Sequence, residues 1–273
     1  MGVTPQLAVS AIRASRVESS LSLGRTPIGV ARSSPEICWA ISGIPMAAFN
    51  FVIRLRRGPD PDRQIDAMQQ TFAARSMPFV WWVTQEDSED GLEARLRKHG
   101  LDYYGEESIG MAAALPSKPE PVRRAELVSV ERIVEQRDIR TWFATLLESV
   151  GLTPDKRTLE LATAVFSSLT GDSLSGWHLY LARINDRPVR TCALHLGSSA
   201  GLYSVGTLAA ARRQGVATAL TKRALAEASS AGHTIASLTA SGLGARLYAA
   251  LGFKEYCRFR EYVWRPPSDH QAP

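Results

Sequence analysis

The pattern of apolar residues divides the second half of the chain into strands and helices. Strand-like runs extend over 177–184, 189–196 and 201–208, and the Asn185-Asp186-Arg187-Pro188 sequence between the first two is typical of a hairpin turn. A helix is predicted over 216–231, because apolar residues recur there at four-residue spacing: Val216, Leu220, Ala224 and Ala228. This order of elements indicates an α/β fold.

The same pattern continues on both sides of this segment. Helical spacing occurs at 142–150 and 158–169, and a short buried strand is predicted over 234–238. A helix follows over 243–251, and the alternating segment 253–264 is predicted to complete the second domain.

The first half of the chain resembles this ending. An apolar strand is predicted over 78–83 and a helix over 92–98, and Gly100-Leu101 stands in the place of Gly252-Phe253. The helix predicted over 61–74 occupies the place of 216–231. We therefore predict an internal repeat.

A proline-rich stretch separates the two halves. Pro116, Pro119 and Pro121 exclude a helix and interrupt any sheet ladder, so residues 116–121 are predicted to form an extended linker. The predicted domains are therefore 1–115 and 122–273, and both have ordinary domain size.

Composition narrows the class of protein. A hydrophobic share of 45% and a charged share of 22% are typical of a soluble globular chain. The net charge of +5 comes without a basic run interleaved with aromatics, which does not favour nucleic-acid binding. No apolar stretch has the length needed to span a bilayer. Three scattered cysteines argue against disulfides and against a metal site, and they fit a cytoplasmic protein.

The loop Arg212 to Ala217 carries the strongest chemical signal. It follows a predicted strand and opens a predicted helix, so its backbone N–H groups lie at the positive end of a helix dipole. Gly215 allows close approach of a ligand, and Arg212 and Arg213 add positive charge. We expect a phosphate-bearing cofactor here.

These residues resemble those of the GNAT superfamily of N-acetyltransferases. The family signature R/Q-x-x-G-x-G/A is matched by Arg212, Gly215 and Ala217, and the run Leu247 to Phe253 is similar to the end of the family domain. The resemblance covers the second segment and implies acetyl-CoA as co-substrate. It also implies a tandem of two GNAT-like domains, each an α/β (α+β) unit with a mixed, mostly antiparallel central sheet flanked by helices.

The resemblance assigns roles to individual residues. Tyr248 corresponds to the tyrosine that protonates the departing thiolate of CoA, while Val205 and Thr207 would pair with pantetheine and the thioester through their backbone. Gly206 between them is consistent with a bulge or a close ligand approach. Ser241 stands where many relatives have an asparagine that contacts pantetheine or a nearby water. The CoA pyrophosphate would lie on the loop and the first helical turn: Arg212, Arg213, Gln214, Gly215, Val216, Ala217 and Thr218.

The general base stays open. The segment Leu202 to Ser204 lacks the glutamate that many relatives carry there, which leaves His195, Tyr203 or a held water as candidates. The first half lacks the cofactor signature, since Asp60 and its flanking prolines replace the small residues of the loop and Leu96 replaces Tyr248. We expect this degenerate domain to bind no acetyl-CoA.

The implied reaction is direct attack of a primary amine on the acetyl thioester in a ternary complex. The acceptor is expected to be a small-molecule amine or a peptide, and its identity is open, as are homo-oligomerisation and the use of longer acyl-CoAs. The missing carboxylate leaves a second hypothesis, a non-catalytic acyl-CoA-binding or regulatory module. A nucleic-acid-binding role rests only on the basic charge.

Overall fold

The computed structural model describes residues 3–116, 128–172 and 174–267. Five of their helices lie within two residues of the predicted bounds, whereas the helix predicted from 142 begins at Gln136, and the helices Pro5–Gly24 and Gln85–Glu89 were not predicted. The α-helices are α1 (Pro5–Gly24), α2 (Pro61–Ala73), α3 (Gln85–Glu89), α4 (Leu92–Lys98), α5 (Gln136–Ser149), α6 (Lys156–Gly171), α7 (Val216–Ser230) and α8 (Gly242–Ala250).

The β-strands of the described residues include two short parallel pairs. They are β1 (Val30–Ser33), β2 (Ile37–Ile41), β3 (Phe51–Arg54), β4 (Phe79–Val83), β5 (Asp102–Tyr103), β6 (Ser108–Ala114), β7 (Val128–Ile133), β8 (Trp177–Ile184), β9 (Arg187–Leu196), β10 (Ala200–Thr207), β11 (Ile235–Ala240) and β12 (Lys254–Trp264).

The chain forms two compact units that do not follow chain order. The larger unit contains Met1–Ser19 and Ile109–Cys257, and the smaller unit contains Ser20–Ser108 and Arg258–Pro273. The first and last segments of the chain therefore each join a unit built mainly from elsewhere in the sequence.

In the larger unit the strands pair in the order β6-β11-β10-β9-β8-β7. Only β10 and β11 are parallel, because α7 connects them as a crossover helix. The apolar stripe of α7 buries Leu220 and Ala224 against Cys192 and Leu194 of β9. The aromatic residues of α5 and α6, together with Trp177 of β8, form a second cluster.

The smaller unit repeats part of this plan. Its strands pair in the order β1-β2-β3-β4-β12, and β5 also pairs with β12. Again one pair is parallel, β3 with β4, and α2 connects those two strands. The core consists of side chains such as Phe72, Phe79 and Trp81.

The structure corrects the domain boundaries predicted at 1–115 and 122–273. Strand β6, from the first half of the sequence, pairs antiparallel with β11 in the larger unit through Ile109–Ala114. Strand β12, from the second half, pairs antiparallel with β4 in the smaller unit through Arg260–Trp264. Each unit thus contains one antiparallel strand that comes from the other half of the sequence. The predicted linker residues from Ser117 to Pro121 lie outside the described residues.

An ionic cluster fixes β12 within the smaller unit. Arg260 donates to Glu93 of α4 at 2.6 Å, and the Tyr262 hydroxyl donates to the other oxygen of that carboxylate. Glu93 is buried, and its hydrogen bonds hold its pKa below the usual range although burial alone would raise it. The exchanged strand is therefore bound by specific side-chain contacts as well as by its backbone ladder.

The N-terminal helix is part of the larger unit. Ser15 Oγ lies 2.6 Å from Tyr203 Oη of β10, and the carboxylate of Glu18 accepts the Ser198 N–H at 2.8 Å. Ala8 and Ile12 are buried. Because these contacts secure the first helix, it is an integral element of the fold.

Candidate functional site

Strands β10 and β11 separate part-way along their length. Their parallel pairing extends from Ala200 to Leu202 on β10 and from Ala236 to Leu238 on β11. Beyond that point β10 stays paired with β9 as far as Thr207, while β11 stays paired with β6 as far as Ala240. The two strands therefore leave an opening along Tyr203–Thr207, where the backbone of β10 is not paired with β11.

A β-bulge lies at the start of this opening. The register between β10 and β9 shifts between Tyr203 and Gly206, and Ser204 adopts a positive φ of 48°. The Thr191 hydroxyl donates to the Ser204 carbonyl at 2.8 Å, which stabilises the bulged backbone. The bulge turns the backbone of Val205 relative to a regular strand, at the position predicted from sequence to face a thioester.

Position 206 requires a glycine because α5 packs closely against it. A Cβ atom at Gly206 would overlap Ser149 Oγ at the end of α5. The bulge predicted near Gly206 thus involves Ser204 and Val205, and Gly206 itself permits close contact between helix and strand.

The loop before α7 forms a helix start without a side-chain cap. Gly215 is the N-cap residue with φ 76°, Arg213 has φ 63°, and no side-chain cap hydrogen bond forms at the N-cap among the described residues. The Gly215 carbonyl accepts the first helical bond from Ala219 at 3.0 Å. The amides at the start of α7 point away from the helix at its positive end, as an anion site requires.

The side chains of this loop are exposed, except for Val216 at the start of the helix. Gln214 Nε2 donates to the Ala210 carbonyl at 2.8 Å, which braces the loop. The Arg212 side chain bends towards the Thr207 carbonyl, with Nε at 3.4 Å. Val216 contributes through its backbone only, because its side chain is in the core.

The corresponding helix of the smaller unit begins differently. Asp60 is the N-cap of α2, its carboxylate accepts the Arg63 N–H at 3.0 Å, and Pro61 supplies no N–H group. Leu96, in the place of Tyr248, is fully buried. An acidic side chain already occupies this helix start, so it offers no anion site.

Tyr248 lies on α8 with its side chain inside the larger unit. Only 6% of the residue is exposed, and its ring packs edge-on against Phe253 at 5.8 Å. Burial raises the pKa of Tyr248 to about 12, while the nearby Arg190 guanidinium lowers it. The hydroxyl is therefore protonated at neutral pH and able to donate.

Arg190 is the residue that the sequence analysis missed. It lies on β9 directly opposite Thr207, is 3% exposed, and donates from Nη1 to Thr207 Oγ1. Its Nε and Nη2 atoms are buried and have no acceptor among the described residues. An arginine that alternates with Cys192 and Leu194 in an apolar strand is the sequence signal that could have identified it.

Ser241 is the N-cap of α8. Its Oγ accepts the Gly244 N–H at 3.3 Å, so one lone pair is committed to the helix. Its hydroxyl proton remains available to an acceptor, and the pantetheine contact predicted for Ser241 stays a prediction.

The structure places His195 away from the opening and gives the Tyr203 hydroxyl another contact. His195 pairs with Gly201 at the closed end of the sheet, and burial lowers its pKa to about 4 although Glu18 acts in the opposite direction. The Tyr203 hydroxyl contacts Ser15. Strand geometry therefore separates His195 from the opening, which begins after Leu202.

A cleft of about 560 Å³ lies at the end of β9 and β10. Its walls are mostly apolar, and Glu148 of α5 supplies a carboxylate. Val189 and Leu208 line this cleft together with Gln214 of the loop before α7. The cleft therefore adjoins the loop that is predicted to bind the cofactor.

Two kinds of feature are absent from the described parts of the chain. Within 3–116, 128–172 and 174–267, no three His, Cys, Asp or Glu side chains are grouped to hold a metal ion. None of the helices described there has the length and apolar character of a membrane span.

Comparison with known proteins identifies the fold around this site. Residues 175–255 match a family model described as "Acetyltransferase (GNAT) domain". The matched segment begins just before β8 and ends within β12, so it includes the opening, the loop and Tyr248. No curated protein matches the chain significantly.

Solved structures extend the likeness over nearly the whole chain. A GCN5-related N-acetyltransferase from Kribbella flavida aligns with a TM-score of 0.65 at 18% identity, covering 96% of this chain and 97% of that one. A similar protein from Sphaerobacter thermophilus gives a TM-score of 0.59 at 19% identity, with coverages of 86% and 83%. A tandem GNAT protein from the clavulanic acid biosynthesis pathway gives 0.58 at 14% identity, with coverages of 98% and 96%.

The chain has the GNAT fold. The family resemblance inferred from Arg212, Gly215, Ala217 and the run ending at Phe253 is confirmed, as is the mixed, mostly antiparallel α/β architecture. The roles of individual site residues remain predictions.

Proposed function

We propose that the larger unit is an acetyl-CoA-dependent N-acetyltransferase that transfers acetyl to a primary amine by direct attack. One observation carries the proposal: the opening between β10 and β11 leads to a helix start that has no side-chain cap. Acetyl-CoA has an extended pantetheine arm that ends in a pyrophosphate. The opening would hold the arm, and the start of α7 would hold the pyrophosphate. The residues present thus fit the co-substrate.

The proposed binding residues have distinct tasks. Gly215 to Thr218 offer backbone amides to the pyrophosphate, and Arg212 and Arg213 add charge-assisted bonds. Val205 and Thr207 offer backbone groups to the pantetheine arm and the thioester carbonyl. Polarising that carbonyl with preorganised donors is the main electrostatic contribution we assign to the protein.

Tyr248 is the proposed general acid. Its hydroxyl is protonated at neutral pH, since its pKa is about 12. A protonated phenol at this position can donate to the thiolate as the C–S bond breaks.

The acceptor is proposed to enter through the cleft that contains Glu148. This cleft is lined by Val189 and Leu208 and by Gln214 of the proposed cofactor loop, so an amine there would lie beside the bound CoA. Glu148 can attract the ammonium form and accept a proton through water. The next residue, Ser149, contacts Gly206 within the proposed thioester segment.

The test has two stages. Isothermal titration with acetyl-CoA measures binding, and a thiol-release assay over a panel of primary amines measures turnover. Binding of acetyl-CoA with turnover on at least one amine supports the proposal. Tight binding without turnover on any amine favours a non-catalytic acyl-CoA-binding module, and absence of binding contradicts both.

A further inference from the structure

Arg190 is an unusual residue for its position. It is an arginine with only 3% exposure, in a strand whose neighbouring inward residues are Cys192 and Leu194. Burying a guanidinium is costly unless its N–H groups are paired, and a structural arginine is normally fully bonded. Arg190 hydrogen-bonds Thr207 and interacts with the Tyr248 hydroxyl, yet its buried Nε and Nη2 atoms have no well-aligned acceptor in the described parts of the chain.

The ionisable neighbours of Arg190 do not neutralise it. Those that influence it are Tyr248 on α8 and Cys192 on β9, and both remain uncharged at neutral pH because burial raises their pKa to about 12. Thr207 supplies only a neutral hydroxyl. Among the described residues, the guanidinium is therefore a buried cation without an anion.

The Arg190 guanidinium lies close to two of the proposed site residues. Thr207, its hydrogen-bond partner, lies in the segment of β10 that has separated from β11. Tyr248 is near enough for its pKa to be lowered by Arg190, and it belongs to the same core cluster as Cys192. The unsatisfied donors thus lie between the proposed pantetheine strand and the proposed acid.

We propose that Arg190 is a further catalytic residue, which stabilises the negative charge that develops on the CoA sulfur as it leaves. This inference rests on the proposed function. The amine nitrogen bonds to the acyl carbon, the C–S bond breaks, and its electron pair moves to sulfur. Tyr248 gives its proton to that sulfur and regains one from the attacking nitrogen through water. Arg190 stabilises the sulfur until this proton arrives.

A purely structural role for Arg190 makes the opposite prediction about stability. If the guanidinium existed to hold β9 and β10 together, Arg190→Met would lower the midpoint of thermal unfolding. If it is an uncompensated cation kept for chemistry, the apolar replacement of similar length leaves the midpoint unchanged or raises it. The exposed helical residue Arg140 provides the control, Arg140→Met, which removes the same charge from the surface of α5.

The decisive experiment titrates the thiol of bound CoA in the full-length protein. Ultraviolet absorbance of the thiolate is followed against pH, and desulfo-CoA, which lacks the sulfur, serves as the blank. In the wild type and in Arg140→Met we expect the bound thiol to ionise at lower pH than free CoA. In Arg190→Met we expect this titration to move up by about one pH unit or more, a tenfold loss of thiol acidity. Arg190→Lys should give an intermediate value.

The outcomes distinguish failure of the proposed role of Arg190 from failure of the proposed function. A bound thiol that titrates identically in the wild type and Arg190→Met overturns the role of Arg190 and leaves the proposed function intact. The same follows if Arg190→Met lowers the unfolding midpoint without changing the titration. If the wild type binds neither CoA nor acetyl-CoA, the proposed function fails and the role of Arg190 fails with it. Should Arg190→Met not fold, Arg190→Lys and Arg190→Gln supply the same comparison.

Discussion

Ser149 Oγ at the end of α5 lies so close to Gly206 of β10 that any side chain at Gly206 would overlap it. This contact couples the helix that carries Glu148 to the strand segment proposed to hold the thioester. Because close-packed interiors tolerate added volume poorly, the pair fixes the distance between acceptor cleft and donor strand.

We therefore expect Gly206→Ala to destabilise the fold and reduce turnover. Overpacking typically costs about 1–3 kcal/mol of unfolding free energy. Gly171→Ala is the matched control, since a Cβ there meets nothing within 4 Å. Chemical denaturation measures the effect, and adding Ser149→Gly to Gly206→Ala should recover part of the loss. Equal stability of Gly206→Ala and the wild type would show that the contact is easily relieved.

Gly215→Ala should separate backbone strain from ligand binding. Gly215 and Gly232, at opposite ends of α7, both have positive φ (76° and 89°), and a Cβ atom added at either would meet nothing within 4 Å. Alanine at either position should cost about 1–2 kcal/mol of stability. Only Gly215→Ala should weaken acetyl-CoA binding, by about tenfold (~1.4 kcal/mol), because its methyl group occupies the anion site. Equal affinities for Gly215→Ala and Gly232→Ala in titration calorimetry would contradict the assignment.

Tyr248→Phe should lower kcat with little change in acetyl-CoA affinity. Loss of a general acid typically costs about 10²–10⁴-fold in rate. Tyr180→Phe, which removes a hydroxyl from the same buried cluster, is the control and should retain activity. Steady-state kinetics across pH provide the measurement. Since the pKa of Tyr248 is about 12, the wild-type profile should show no loss of the acid below about pH 10; unchanged turnover of Tyr248→Phe would exclude the role.

His195 should make the protein less stable as the pH falls below neutrality. Its pKa is about 4 in the folded chain against an ordinary value of 6.5, because the buried imidazole is held neutral. The unfolded chain therefore binds the extra proton first, and stability falls as pH decreases from 6.5 to 4. The loss is about 3 kcal/mol at most. Denaturation at several pH values checks this, and His195→Gln should flatten the curve in that window; an unaltered curve would contradict it.

The exchange of β6 and β12 predicts how fragments behave. A fragment of residues 122–273 lacks β6, so the edge of β11 is unpaired, and its residues 258–264 lack β4. Exposed edges of this kind promote aggregation, and we expect the fragment alone to be insoluble. Co-expression with residues 1–121 should restore solubility and acetyl-CoA binding. A soluble, monomeric fragment that binds acetyl-CoA by itself would show that the exchanged strand is dispensable.

The sequence predicted local elements well and long-range pairing poorly. Apolar spacing identified α7 to within a residue and placed Gly215 at its start, since helix periodicity and glycine conformation are local properties. It did not assign β6 and β12 to their units, because an alternating strand carries no information about which edge it will join. The bulge at Ser204 was placed near Gly206, since a glycine is the visible signal and a strained serine is not.

Arg190 was missed for a related reason. Its significance depends on partners distant in sequence, Thr207 and Tyr248, and on the absence of an acceptor for its remaining N–H groups in the described structure. Only the folded arrangement reveals that a charge is buried without compensation. The loop at Arg212 to Ala217, in contrast, is contiguous and could be interpreted directly from the sequence.

The exchanged strands also set the order in which this protein can be made. During synthesis β6 leaves the ribosome before its partner β11 exists, and β4 must wait for β12 near the C-terminus. The sheet of the larger unit is complete only after β11 is made and that of the smaller unit only after β12, so folding depends on contacts of long sequence separation. A cut between the two halves of the sequence therefore separates both strand pairs, although the sequence itself resembles a simple duplication.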